Sequence, residues 1–298
     1  MARGTLPLPL LAALLGVALL SLMDAFMKGA ALAVGAFTAA WLRALIGTAL
    51  MVPIVLAAGA RRPPREAMKL HLERGAVSCF MAVTFFYSLT KLPLAETIAI
   101  SFIAPLVALY LARVMLGEAV SRAAVWGSLL GFAGTVVIVW NRLGSAGFDR
   151  DVLLGLSAIL ISAMLYAYNF IVMRRQSQVA GPAEIALFHS GVTAAILTLA
   201  APLLFQMPDV AVLGATAASA VLTVAGAMVL AWAYARAEAQ VLVPMEYSGF
   251  LWAALFGWLF FREQVEAVTL LGTTLIVLGC WVAARRPGPT PPPEQVAI

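Results

Sequence analysis

Arg43 is the residue in this chain whose position most needs an explanation. It stands nine residues into the second of a series of apolar runs, about 14 Å deep at 1.5 Å per residue, too far to snorkel comfortably. A charge at mid-bilayer costs at least roughly 2.5–3.5 kcal/mol on insertion scales. One chemistry that would justify it is a fixed cation facing a wet cavity, where a planar guanidinium fork binds a substrate carboxylate. The alternative is an internal ion pair with Asp24 or a bond to a helix carbonyl. Asp24 and Lys28 stand four apart on one helix face, a spacing that supports a weak salt bridge. Lys28 is close enough to the helix end to act as an interface anchor, whereas Asp24 is deeper and either lines the pathway or moves with a gate.

Glu96 and Glu246 open two later apolar runs. A carboxylate there is stabilised by the helix macrodipole, or it is a titratable group that couples substrate movement to a proton. Glu246 is followed by Tyr247 and Ser248 and preceded by Pro244, a proline able to break the helix and free carbonyls towards a cavity. Pro105 can do the same in the earlier run. His189 is read as hydrogen-bonded packing or a proton relay. Tyr87, Asn169, Tyr234 and Trp252 either stack on and hydrogen-bond a ligand or serve packing and an interface belt. Cys79 and Cys280 read as small apolar residues, and the twelve methionines as packing filler rather than a metal path. No metal or cofactor is expected.

These groups must be held by membrane helices. Of 298 residues, 63% are hydrophobic and 11% charged, against about 45–50% and about 25% in a soluble domain. The mean hydropathy is +0.99. Such a composition excludes soluble, disulfide-stapled and disordered classes. Ten candidate spans run near Leu6–Lys28, Val34–Ala58, Glu73–Thr90, Leu94–Leu116, Arg122–Trp140, Val152–Met173, Glu184–Leu204, Val210–Ala235, Val241–Phe261 and Ala267–Ala284. The first is too long for a signal-peptide core and is read as retained. The proline-rich segment 287–298 reads as a disordered tail.

The net charge of +5 does not point to nucleic acid, because the one dense basic stretch, Arg61 to Arg74, is interrupted by Glu66 and Glu73 and lies between two spans. It reads instead as the longest cytoplasmic loop. With the first residues inside, thirteen Lys and Arg fall on the inner side and five on the outer, leaving Arg43 in the membrane. That bias puts both termini in the cytoplasm.

A repeat is visible. Glu118, Gly127 and Gly134 fall on Glu263, Gly272 and Gly279 at one constant shift of 145 residues. The unit is then five helices, with halves at 1–142 and 143–286. Five is odd, so the second half must thread the membrane in the opposite sense, an arrangement recurrent in secondary transporters. The glycines, including Gly127-x-x-x-Gly131, also permit close helix packing. His189 lies near the repeat position of Arg43. Glu118 and Glu263 sit at span ends beside Arg122 and Arg262, where they read as caps or gate latches.

On these features the sequence resembles the drug/metabolite transporter superfamily in its EamA branch. The likeness is carried by the ten-span length, the duplicated halves, LGEAV at Glu118 and FREQV at Glu263, and the stretches LPLAETIAISFIAPLVALYLARVMLGE and PMEYSGFLWAALFGWLFFRE. SLMDAFMKGAA followed by WLRALIG resembles the subgroup holding S-adenosylmethionine uptake proteins and some amino-acid exporters. The resemblance implies spans three, four, eight and nine near the centre, with one, two, six and seven moving around them.

The expected function is secondary transport of a small polar metabolite across a bacterial inner membrane, by alternating access. Amino-acid export is the first reading, and uptake or exchange of a solute such as S-adenosylmethionine the alternative. A membrane enzyme is disfavoured, because two histidines and no H-E-x-x-H or G-x-S-x-G offer no catalytic cluster. No G-x-x-x-x-G-K-[ST] is present, so energy would come from gradients or exchange. The expected partners are the substrate and the lipid bilayer, with a homodimer left open.

Overall fold

A straight helix over Pro7–Ala57, the 51 residues of α1, would be about 77 Å long at 1.5 Å per residue. A bilayer is only about 40–45 Å thick with its headgroups. The chain resolves this at Gly35, whose φ of 76° and ψ of 153° are open to a residue without a Cβ. The two arms either side of Gly35 run antiparallel to different neighbours. Gly16 packs against Gly226 and Leu230, and Met27 against Ser219, whereas Trp41 meets Thr198 and Gly47 meets Ser190.

The computed structural model describes residues 7–57, 59, 62–116, 122–146, 149–176, 178–234, 236, 245 and 247–284. Among these the regular structure is α-helix, with no strand. After α1 come α2 (Arg65–Lys91), α3 (Leu94–Ser101), α4 (Ile103–Leu116), α5 (Arg122–Ala146) and α6 (Arg150–Gln176). Then follow α7 (Pro182–Leu204), α8 (Val210–Tyr234), α9 (Gly249–Phe261) and α10 (Ala267–Ala284). Five described stretches are long and apolar enough to cross a bilayer: Leu8–Ala57, Leu94–Met115, Arg150–Met173, Ala183–Leu204 and Val210–Leu230. Gly249–Phe261 and Ala267–Val282 are shorter apolar helices.

Two sequence expectations need correction. The apolar runs predict a turn directly after Lys28, but helix continues through these alanine-rich residues until Gly35, because alanine and leucine favour helix. The sequence predicts a loop over the basic stretch up to Glu73. Its second part, Arg65 to Arg74, is helical and opens α2 directly after Pro64, since Glu, Ala, Met, Lys and Leu dominate it. The break between α3 and α4 at Phe102 has a local cause. Pro105 clashes with the carbonyl four residues back, at Ser101, and Phe102 N–H bonds instead to Ala99 O at 3.2 Å.

The helices close into one bundle, with α1 against α8, α2 against α6 and α5 against α10. The α5–α10 seam is built on glycine. A Cβ on Gly272 would stand 2.7 Å from Gly134 O, and one on Gly279 would stand 2.7 Å from Gly131 N and against Gly127 O. Backbone meets backbone, as small residues allow. The pairs 134–272 and 127–279 also show that α5 and α10 run antiparallel.

Candidate functional site

The second arm of α1 carries Arg43 into the bundle. Its guanidinium carbon lies 5.3 Å from the ring centroid of Phe86 on α2, a cation–π contact. Its Nε is buried and has no hydrogen-bond partner among the described residues. Asp24, on the first arm, lies within electrostatic reach, but no ion pair joins the two among the described residues. The helix at Gly35 therefore returns a carboxylate and a guanidinium to one interior with neither neutralised by direct contact. Buried polar groups in native proteins are nearly always satisfied, by protein, ligand or water, which makes this guanidinium N–H a candidate contact for a ligand.

His189 and Trp252 carry further orphaned groups, and His189 lies within electrostatic reach of Arg43. His189 Nδ1 on α7 and Trp252 Nε1 on α9 are buried without a described partner. The Trp252 ring stacks on Phe256 with centroids 6.1 Å apart and planes 22° apart. His189 is held where α7 is pressed between two helices. Ser190 packs on Gly47 of α1, and Val192 packs on Gly75 of α2. Tyr247 stands edge-on to Phe102, with centroids 5.5 Å apart. Tyr87 lines a cavity of ≈ 330 Å³ beside Gly35, Phe37, Thr84 and Gln206, so it sits near the turn of α1.

Asn169 does not stand alone in a helix face. Its Oδ1 accepts from Arg74 Nε at 3.2 Å and from Ser78 Oγ at 3.4 Å. Arg74 Nη1 also donates to Gln176 Oε1 at 2.9 Å. Gln176 Nε2 lies 2.6 Å from His71 Nδ1, and His71 Nε2 lies 2.7 Å from Glu184 Oε1. The His71 ring stacks on Phe188 at 4.3 Å. Sequence reasoning missed this chain of polar groups joining α2, α6 and α7. The signal was a stripe in α2, where His71, Arg74 and Ser78 recur at helical spacing. Starting the third span at Glu73 left His71 outside it.

Glu96 is buried in the first turn of α3, and Arg142 Nε of α5 lies 3.6 Å from its Oε2. The arrangement agrees with a carboxylate stabilised at a helix start and paired across to α5. Lys28 corrects the sequence reading outright. It is not an interface anchor but only 4% exposed. It forms an ion pair with Glu263, donates to Leu92 O at 2.7 Å, and lies 5.2 Å from the Phe261 ring centroid. No described Asp24–Lys28 pair exists, because Glu263 has taken the ammonium. Glu263 Oε2 also accepts from Leu94 N–H at 2.7 Å, so it caps α3. Glu246, Pro244 and Glu118 lie outside the described residues, as does the side chain of Tyr234.

Comparison with known proteins identifies this architecture. The model of the EamA-like transporter family matches residues 7–140 and again 153–285. The chain belongs to that family. With its apolar helices, it is an integral membrane protein. It is 27% identical over 269 residues to the pseudopaline exporter CntI of Pseudomonas aeruginosa, covering 89% of this chain and 92% of that one. It is 24% identical over 248 residues to an S-adenosylmethionine uptake transporter of Rickettsia bellii, covering 81% of each. It is 32% identical over 116 residues to the aromatic amino acid exporter YddG of Ancylobacter novellus, covering 39% of this chain and 40% of that one. These EamA-like relatives are transporters of chemically different solutes, so membership fixes transport of a small molecule and not its identity.

Proposed function

We propose that this EamA-like protein is a secondary active transporter that exports an amino acid or a related small carboxylate by alternating access. The observation that carries the reading is the buried, unpartnered Nε of Arg43, held over Phe86 with the Asp24 carboxylate in reach. A guanidinium offers a carboxylate two parallel N–H donors, and Asp24 offers an ammonium its counter-charge. A zwitterion satisfies both.

The ten spans read from the sequence form two inverted five-helix halves in this proposal. Contacts between α5 and α10 support it. The pair Gly134–Gly272 becomes Gly279–Gly127 when each residue is exchanged for its repeat equivalent, as a two-fold axis through the seam requires. The basic residues support cytoplasmic termini in an inner membrane, thirteen of them on the side where α2 begins and five on the Gly35 side. Uptake of a cationic solute such as S-adenosylmethionine is the second reading, favoured by the Asp24 carboxylate, which makes no ion pair among the described residues.

The test is flux in liposomes of purified protein, loaded with radiolabelled amino acids in turn. Saturable flux that is abolished in Arg43→Ala, with normal insertion and thermal stability, supports the reading. Wild-type flux in Arg43→Ala removes Arg43 from the site, and no saturable amino-acid flux in the native chain removes the substrate class.

A further inference from the structure

The half-buried and buried cations of the bundle divide into two groups. At the Gly35 end each has a carboxylate: Lys28 has Glu263, Lys91 has Asp151 at 2.8 Å, and Arg142 has Glu96 at 3.6 Å. Arg43 and Arg74 have none among the described residues. For Arg74 this is not for want of carboxylates nearby. Glu184 is engaged by His71 at 2.7 Å, and Glu73 accepts from the Tyr168 hydroxyl. Arg74 is instead gripped by two neutral amide oxygens, of Asn169 and Gln176, through Nε and Nη1. No described residue accepts from its Nη2. The grip fixes the plane of the fork without cancelling its charge.

Arg74 and Arg43 both stand on helices packed against α7. Gly75, next to Arg74, presses on Val192 and accepts from Thr193 Oγ1 at 3.3 Å. Gly47, one turn past Arg43, presses on Ser190 from the other side. His189 lies within electrostatic reach of both arginines, and its Nδ1 has no partner among the described residues. An uncompensated guanidinium in a membrane protein is costly and marks an anion's route.

We propose that Arg74 is a second carboxylate-binding station, which receives the substrate at the end of the bundle where α2 begins and hands it on to Arg43. Asn169 and Gln176 act as positioning residues that orient the fork while leaving its charge available. The proposal rests on the reading of Arg43 given above, and its test separates the two.

The probe is L-phenylalanine, or whichever amino acid gives the largest flux in the native chain. Zero-trans flux of the full-length protein is measured from each face of vesicles with one insertion sense. Arg74→Gln removes the charge. Asn169→Asp is nearly isosteric and places a carboxylate within hydrogen-bond distance of Arg74, which neutralises the station from within the protein. Both variants are expected to raise KM about tenfold from the α2-start face at native insertion and thermal stability, with Vmax/KM from the opposite face falling by the same factor, as microscopic reversibility requires. A merely structural role would lower the active fraction and leave KM alone.

Unchanged KM from both faces in Asn169→Asp, with Arg43→Ala inactive, overturns the station and leaves the Arg43 reading intact. Should Arg74→Gln fail to insert, Asn169→Asp decides alone. An Arg43→Ala protein with native flux defeats the earlier reading, and the station with it.

Discussion

Lys28 and Glu263 are 235 residues apart in sequence and form a buried ion pair that ties the first arm of α1 to the turn after α9. The same carboxylate caps α3 through Leu94 N–H. One side chain therefore joins three elements at the Gly35 end. Removing a single partner of such a pair leaves a charge uncompensated in a dry place, at a cost of about 3 kcal/mol. Lys28→Met should lower the thermal midpoint in detergent by several degrees, while Lys28→Met with Glu263→Gln recovers much of the loss. Equal losses in the single and double variants would show that the pair contributes no coupling.

Arg262 is the non-glycine residue with positive φ, 58°, among the described residues. The left-handed turn lets Glu263 N–H bond back to Gly257 O at 3.1 Å and brings its carboxylate over Gly257, where a Cβ would come within 2.8 Å of Oε2. A left-handed conformation costs an L-residue about 1–2 kcal/mol. Arg262→Gly should therefore raise stability by up to about 1 kcal/mol, read as a higher thermal midpoint. Gly257→Ala should lower it by displacing Glu263 from Lys28.

The glycine seam gives a prediction of opposite kind. At Gly134 and Gly279 the neighbouring atoms are backbone or a branched side chain and cannot step aside easily. Gly134→Leu and Gly279→Leu should each cost about 1–3 kcal/mol or more. Gly144, with nothing within 4 Å, should accept alanine with little change in the same assay.

Arg43→Lys should fail where charge alone would suffice. An ammonium is a point donor without the planar fork, and the two side chains are not interchangeable at a stacked, bidentate site. Flux at least tenfold below the native chain, at native stability, is the expected outcome. Glu246→Gln should likewise reduce flux while leaving the protein inserted, and native rates in that variant would take Glu246 out of the pathway.

Much of this was legible in the residues because membrane helices announce themselves by length and apolarity. The spans read at Val210–Ala235 and Ala267–Ala284 match α8 and α10 to within a residue or so. The glycine repeat was visible because backbone contact tolerates no other residue. What stayed hidden was partner choice. Lys28 reads as an anchor because it stands close enough to the helix end to reach the interface, and nothing local reveals a carboxylate arriving from Glu263. Arg74 reads only as a basic residue at the start of the third span, because its amide partners come from a helix about a hundred residues on. Polar contacts across a bundle depend on helix rotation and register, which one-dimensional periodicity leaves open.

Gly35 reverses α1 within a single residue and leaves no slack between its arms. A hairpin so short behaves as a rigid fork whose prongs carry Asp24 and Arg43. Any tilt that withdraws the first prong from Glu263 would carry the second with it, so Asp24 and Arg43 would travel as one unit at a fixed spacing.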